Sequence, residues 1–237
     1  MTPAAKVLLV FPQAFEQNTV PPLGISLLAA CLRAAGHEVE LLDLTVEPLH
    51  RRDFGQYCLV GMTLLCTNFP NGAELARRIR RDNPSVPIVA GGPFADVCPR
   101  EVLETGAFDL VAHGEGERCL LELIDALRSG KDFGGIPGLS FYREGKIVRT
   151  PSRPMLEDLD ALPFPAYELL PMIRYPRHSI MASRGCPWNC IFCDRGPAES
   201  RKVRFLNSCW NVIRLCCCHA LFDPPDVRPA SPAARAP

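Results

Sequence analysis

At 237 residues, 47% hydrophobic and 22% charged, the chain has an ordinary globular composition and length for one large domain or two smaller ones. Its 26 lysines and arginines balance 26 aspartates and glutamates, so no overall field points to nucleic acid, an anionic membrane or an acidic substrate. No run approaches the ~18 apolar residues that cross a bilayer, and Val7 to Phe11 is too short for the apolar part of a secretory signal; the twelve cysteines are therefore read in a reducing, cytoplasmic setting.

Lys6 to Phe11, KVLLVF, ends at Pro12 and reads as a strand buried on both faces. The next apolar stretch, GISLLAACLRAAG, puts Ile25, Leu28 and Leu32 on one helical face and ends at Gly36, a good residue to follow a helix. The alternation repeats: strands at Glu38 to Leu42, Cys58 to Leu65, Val86 to Ala90 and Leu110 to Ala112, and helices at Gly72 to Arg81, Arg100 to Glu104 and Glu117 to Arg128. The run of Arg77, Arg78, Arg80 and Arg81 is the solvated face of its helix. Strands alternating with helices over about five rounds imply an α/β fold, a Rossmann-like doubly wound parallel sheet over roughly the first 130 residues.

Ligands of such sheets sit outside the carboxyl ends of the strands. Here those loops are rich in glycine, proline and small polar residues: Pro21, Pro22, Leu23 and Gly24; Thr63 with Thr67 and Asn68; Gly91, Gly92 and Pro93; Gly114, Glu115, Gly116 and Glu117. Glycine lets backbone approach a bulky ligand, although GEGE taken alone could equally start a helix whose dipole favours acidic residues. Cys31, Cys58, Cys66, Cys98 and Cys119 read as small buried hydrophobes.

After Gly130 the pattern changes. Gly138 to Thr150 reads as a hairpin turning at Glu144 and Gly145 and finishing a first unit of residues 1–150. Residues 151–177 hold six prolines among acidic and apolar residues, as an ordered, stiffened linker does. His178 to Ala182 is expected as a strand, opening a second unit over 178–205. It leads into RGCPWNCIFCDRG, where Cys186, Cys190 and Cys193 stand at C-x3-C-x2-C. Three thiolates on one short loop can hold three irons of a [4Fe-4S] cube and leave the fourth iron open. A structural zinc wants four ligands, and only Cys209, Cys216, Cys217, Cys218 or His219 could add one. A disulfide would strand one thiol of the three.

This loop resembles the cluster loop of the radical S-adenosylmethionine (SAM) enzymes. Together with the four upstream loops it makes residues 6 to about 196 similar to the branch of that family with a cobalamin-binding domain. The resemblance implies that Cys186, Cys190 and Cys193 hold the [4Fe-4S] cluster, that SAM chelates its open iron, and that Phe192 lies beside the adenine. It further implies a reductant such as flavodoxin or ferredoxin, a 5'-deoxyadenosyl radical, and cobalamin against Pro22, Leu23, Gly24, Thr63, Gly91, Gly92, Pro93, Gly114, Glu115, Gly116 and Glu117. No D-x-H-x-x-G motif is present, so no histidine is evident below the cobalt, and Phe94 stands where relatives often carry histidine. The implied parent activity is methyl transfer to an unactivated carbon or a radical cyclisation or rearrangement. The competing readings are a radical SAM enzyme whose first domain keeps the fold without the corrinoid, and a non-catalytic corrinoid- or iron-sulfur-binding protein. No residue identifies the substrate.

The same resemblance implies that the sheet is followed by the first part of a radical SAM (β/α) barrel. Only about 44 residues follow Cys193, where a barrel takes roughly 200 or more, and residues 206–237 end in a disordered-type composition. The expectation is therefore an incomplete barrel with an aberrant tail, from a shifted reading frame or truncated gene.

Overall fold

The computed structural model describes residues 4–16, 19–50, 52–188, 190, 191, 193 and 202–206. In chain order the elements are β1 (Lys6–Phe11), α1 (Leu23–Ala34), β2 (Glu38–Asp43), β3 (Leu59–Thr63), α2 (Phe69–Asp82), β4 (Ile88–Gly91), α3 (Pro93–Val97) and α4 (Pro99–Glu104). Then follow β5 (Leu110–Ala112), α5 (Gly116–Ser129), β6 (Leu139–Arg143), β7 (Lys146–Arg149), β8 (Ser183–Arg184) and β9 (Arg204–Phe205). The first seven strands form one sheet in the order β2-β1-β3-β4-β5-β6-β7. The first five are parallel, and β6 and β7 extend them antiparallel.

Successive side chains of a strand leave on opposite faces, and in β1 both sets are apolar from Val7 on. Val7, Leu9 and Phe11 pack with α1 and α5, while Leu8 and Val10 pack with α2 and α4. That two-sided burial is the pattern of a parallel sheet between helix layers. The amphipathic helices supply the covers: Ile25, Ala29 and Leu32 from α1, Leu120, Leu123 and Ile124 from α5, and Ala73, Ala76 and Ile79 from α2. The end of α1 follows its sequence signal. Gly36 lies at φ 88, its N–H donates to Arg33 O, and His37 N–H donates to Leu32 O, closing a Schellman turn.

The hairpin turn falls on Glu144 (φ 52) and Gly145 (φ 75), the left-handed pair that a two-residue turn requires. Rather than standing apart, the hairpin continues the sheet, with Val111 opposite Ser140. Arg80, one of the four arginines of α2, reaches back to Asp109 and to the carbonyls of Pro84 and Val86, so it fastens the turn into β4 rather than facing solvent freely.

The proline-rich segment packs on the α1 and α5 face, where Ala166, Leu170 and Tyr175 join the core. Ala166 N–H donates to Ser26 O at 2.9 Å, and the buried Tyr175 hydroxyl donates to Asp43 Oδ2 at 2.9 Å. Two expectations differ from the structure. Residues 178–182 form no strand, because a strand exists through its ladder and the pairing begins only at Ser183 and Arg184, antiparallel to Phe205 and Arg204. Cys66 is exposed in the loop after β3, unlike the buried Cys119 or the half-buried Cys31, Cys58 and Cys98. Burial pushes the Cys31 and Cys119 thiols up to about 11, which keeps them protonated and apolar in character. Phe192 and residues 207–237 lie outside the described residues.

Leu123 of α5 is fully buried against the sheet. Leu123→Ala is expected to lower stability by about 3 kcal/mol, through lost transfer energy and a residual cavity, measured as a fall in the urea midpoint at unchanged slope.

Candidate functional site

The strand order 2-1-3-4-5 reverses direction between β1 and β3, and a ligand crevice is expected at the carboxyl ends of strands beside that point. A shallow cleft, partly open to solvent, lies there. Leu9 of β1, Gly61, Met62 and Thr63 of β3, Val89 and Gly91 of β4 and Ala112 of β5 form its floor, and Ile25 and Leu28 of α1 and Leu120 of α5 form a wall. Gly92, Gly114 and Gly116 complete the rim.

Local chemistry explains the smooth rim. At Gly92 (φ 88) a Cβ would lie 2.9 Å from Thr63 Cγ2 and 3.0 Å from Leu64 O, so the chain turns into α3 only without a side chain. Beside Gly114 nothing lies within 4 Å, and beside Gly91 only Ala112 O, at 3.8 Å; the backbone there is bare toward the cleft. The loop after β3 is held by the buried Asn68, whose Oδ1 accepts from Leu65 N–H at 2.7 Å and whose Nδ2 donates to Thr63 O at 3.2 Å. An apolar floor rimmed by backbone free of β-carbons fits a broad, flat macrocycle such as a corrin.

Of the residues expected to meet cobalamin, Thr63, Gly91, Gly92, Gly114 and Gly116 line the cleft. Pro22, Leu23 and Gly24 form the start of α1, where Pro22 O accepts from Ser26, and Pro93 opens α3. Glu115 and Glu117 face elsewhere. Gly61 was missed by sequence reasoning, although a glycine inside a strand signals a close approach; a Cβ there would lie 2.8 Å from Leu9 Cδ2.

Glu115 is the centre of a half-buried charge cluster. Its carboxylate accepts from Leu156 N–H at 2.7 Å, from Arg184 Nη1 at 3.1 Å, and from Arg204 Nη2 at 2.8 Å and Nη1 at 3.1 Å. Arg184 Nη2 also donates to Glu117, and Arg204 Nη1 to Leu156 O. Burial pushes the Glu115 carboxyl up, but the Arg204, Leu156 and Arg184 hydrogen bonds outweigh it and hold it below its ordinary 4.5. Neither arginine was singled out from sequence. Arg184 carried a faint signal, two residues before the first motif cysteine; for Arg204 there was none.

His113 sits on the strand end between cleft-lining Ala112 and Gly114, yet its ring turns away. Its Nδ1 is 2.8 Å from Asp96 Oδ1 and its Nε2 2.8 Å from Ser140 Oγ. Ser140 is 1% exposed, so this is an internal polar bridge between α3 and β6 with no accessible nucleophile. Phe94 stacks on Phe69, centroids 4.4 Å apart.

Cys186 is half-buried and Cys190 and Cys193 are exposed, all as free thiols. Cys193 N–H donates to Cys190 O at 3.1 Å, which curls the loop. Among the described residues no three His, Cys, Asp or Glu side chains converge on a metal-sized point. The donor set itself, three free thiols on one loop leaving one iron without a protein ligand, fits a [4Fe-4S] cube. Gly185 (φ 102) sets the loop's entry: a Cβ there would fall 2.2 Å from Lys202 O.

Comparison with known proteins agrees with this geometry. Residues 17–124 match the B12 binding domain family. An uncharacterized methyltransferase of Pyrococcus horikoshii is 36% identical over 206 residues, 79% of this chain and 45% of that protein. The anaerobic magnesium-protoporphyrin IX monomethyl ester cyclase of Synechocystis is 31% identical over 192 residues, 75% of this chain and 38% of that protein. The solved structure of the radical SAM methyltransferase TsrM from Kitasatospora setae, with cobalamin and a [4Fe-4S] cluster bound, aligns at TM-score 0.66 and 23% identity, over 90% of this chain and 45% of that one. The class is thus that of the doubly wound B12-binding domains. More narrowly, the chain belongs to the B12-binding-domain radical SAM family, and it spans less than half the length of these relatives. Among the described residues no helix is long and apolar enough to cross a membrane.

Because the Glu115 carboxyl is held low, its stabilising contacts are complete above 4.5 and lost as pH falls through its lower folded value. Wild type is expected to exceed Glu115→Gln by on the order of 3 kcal/mol near neutrality. That gap should close progressively below pH 4.5 in urea titrations run as a pH series.

Proposed function

We propose that this chain is the corrin-binding and cluster-bearing portion of a cobalamin-dependent radical SAM methyltransferase. The single observation carrying this reading is the apolar, glycine-rimmed cleft at the carboxyl ends of β1, β3, β4 and β5, in one chain with Cys186, Cys190 and Cys193. Thr63, Gly91, Gly92, Gly114 and Gly116 would face the corrin, and the three thiolates would hold the cluster. Bound there, cobalamin supplies a transferable methyl group, and the cluster with SAM supplies a radical that takes a hydrogen from an unactivated carbon. The protein's part is to position both and to exclude water. Relatedness to a cyclase keeps radical cyclisation as the second reaction class for the parent enzyme. A soluble one-electron carrier such as flavodoxin or ferredoxin is the proposed reductant, and a cytoplasmic setting suits the free thiols.

Among the described residues no histidine lines the cleft. His113 has both ring nitrogens engaged by Asp96 and Ser140, and Phe94 is stacked on Phe69. Cobalamin retained by this chain should therefore show, as Co(II), no nitrogen hyperfine splitting from the protein.

Leu28 forms the half-buried wall of the cleft. Leu28→Trp is expected to weaken hydroxocobalamin retention in equilibrium dialysis by at least ~tenfold, with little change in the far-ultraviolet dichroism. Retention equal to wild type would place the corrinoid elsewhere, and no retention by wild type would favour a fold kept without its cofactor.

Replacement of Cys186, Cys190 and Cys193 by alanine together is expected to abolish bound iron and sulfide after anaerobic reconstitution. Equal iron in wild type and variant would contradict the cluster assignment.

A further inference from the structure

The two acidic residues that sequence reasoning gave to cobalamin turn their carboxylates toward the cysteine-bearing segment instead. Gly114 and Gly116 line the cleft, and Glu115 between them binds Arg184 and Arg204. Glu117, one residue into α5, binds Arg184 from the same side. Arg184 lies two residues before Cys186 and pairs through the β8–β9 ladder with Arg204. The next residue, Gly185, has no room for a side chain against Lys202 O, so a displacement of Arg184 passes directly to the loop.

We propose that Glu115 and Glu117 are positioning residues that lock the cysteine-bearing loop onto the corrin-binding end of the sheet, so that this four-residue charge cluster sets the spacing between the two cofactors. This rests on the reading of cleft and cysteines given above. The cluster is suited to the task because its members are held on every side. Side-chain exposure is 6% for Arg204, 7% for Glu117, 16% for Glu115 and 18% for Arg184, and paired charges away from water are costly to separate. Two arginines against two carboxylates leave no net charge to repel the docked segment. Glu115 ties three separate stretches at once, the Leu156 backbone, β8 and β9. Beyond the Glu115 and Glu117 contacts, the Arg184 guanidinium touches the Met181 sulfur at 3.2 Å. Among the described residues Glu117 Oε2 and Arg204 Nε have no partner.

The test uses the full chain and two readouts. In the cofactor-free protein, hydrogen exchange of peptides covering 178–188 is compared between wild type, Glu115→Gln, Glu117→Gln, Arg184→Lys and Arg184→Gln. Each neutral variant should speed exchange of that segment by at least about tenfold, while the β1 and β3 peptides keep wild-type protection. Arg184→Lys, which keeps the cation, should fall between. Because Arg184 is the partner that Glu117 binds, the double variant Glu117→Gln with Arg184→Gln should open the segment no further than Arg184→Gln alone, the mark of one shared interaction.

After anaerobic loading with iron, sulfide and hydroxocobalamin, paramagnetic resonance should show weaker magnetic coupling between Co(II) and the reduced cluster in the glutamine variants, at unchanged iron and cobalt content. Unchanged exchange, or exchange raised equally across the sheet, overturns the proposal, as does unchanged coupling in variants that load both groups. If wild type loads neither group, the proposed function fails, and the exchange experiment still decides whether these glutamates hold the segment.

Discussion

The structure depends on the burial of β1 and β3 from both sides. Val7 to Phe11 of β1 and Leu59, Val60 and Met62 of β3 are apolar and covered, and each strand's backbone is paired to a neighbour on both edges, so no surface of either is left for a polar ligand except its end. Chemistry is thereby displaced to the loops that follow the strands, and the right-handed crossovers that cover the two faces decide which loops meet. Leu9 shows the economy of this arrangement: it is core on one side and the floor of the cleft on the other. The glycines beside it are consequences of crowding as much as of recognition, since Gly61 lies against Leu9 and Gly92 against Thr63 and the Leu64 carbonyl.

The second constraint is electrostatic. Four charged side chains withdrawn from water are stable only if each finds an opposite partner, and Glu115, Glu117, Arg184 and Arg204 do so across three distant parts of the chain. The glycines flanking Glu115 let one short loop serve two purposes. Backbone at Gly114 and Gly116 borders the cleft, while the intervening side chain is free to point the other way. A helix N-terminus favours acidic residues in any case, so the same glutamates contribute to the start of α5.

The proline-rich segment joins these parts. Prolines limit the entropy lost when a chain is laid down in an extended path, and here that path runs over α1. Ala166, Leu170 and Tyr175 enter the core, and the Tyr175 hydroxyl meets Asp43 at the end of β2. Burial first, then the neighbouring Asp43 carboxylate, pushes the phenol upward, so it stays a neutral donor. The segment therefore docks on the sheet unit as part of its core, and the cysteine loop begins from a fixed point.

By itself the sequence determined the alternating elements, their two-sided burial, the hairpin turn at Glu144 and Gly145 and the loops that border the cleft. All of these follow from local periodicity, from turn stereochemistry and from the rule that open parallel sheets bind at their strand ends. It also exposed the three cysteines, because metal-ligand spacing within one loop is a local property. Tertiary structure alone decided which way Glu115 and Glu117 face, that Gly61 borders the cleft, that Cys66 is exposed, and that pairing after the linker starts at Ser183 rather than His178. All but the exposure of Cys66 depend on a partner remote in sequence: Arg184 and Arg204 for the glutamates, Leu9 for Gly61, Phe205 for Ser183. Charge pairing and ladder formation between distant segments leave no periodic trace in the residues that make them, so they become visible only when the chain is folded.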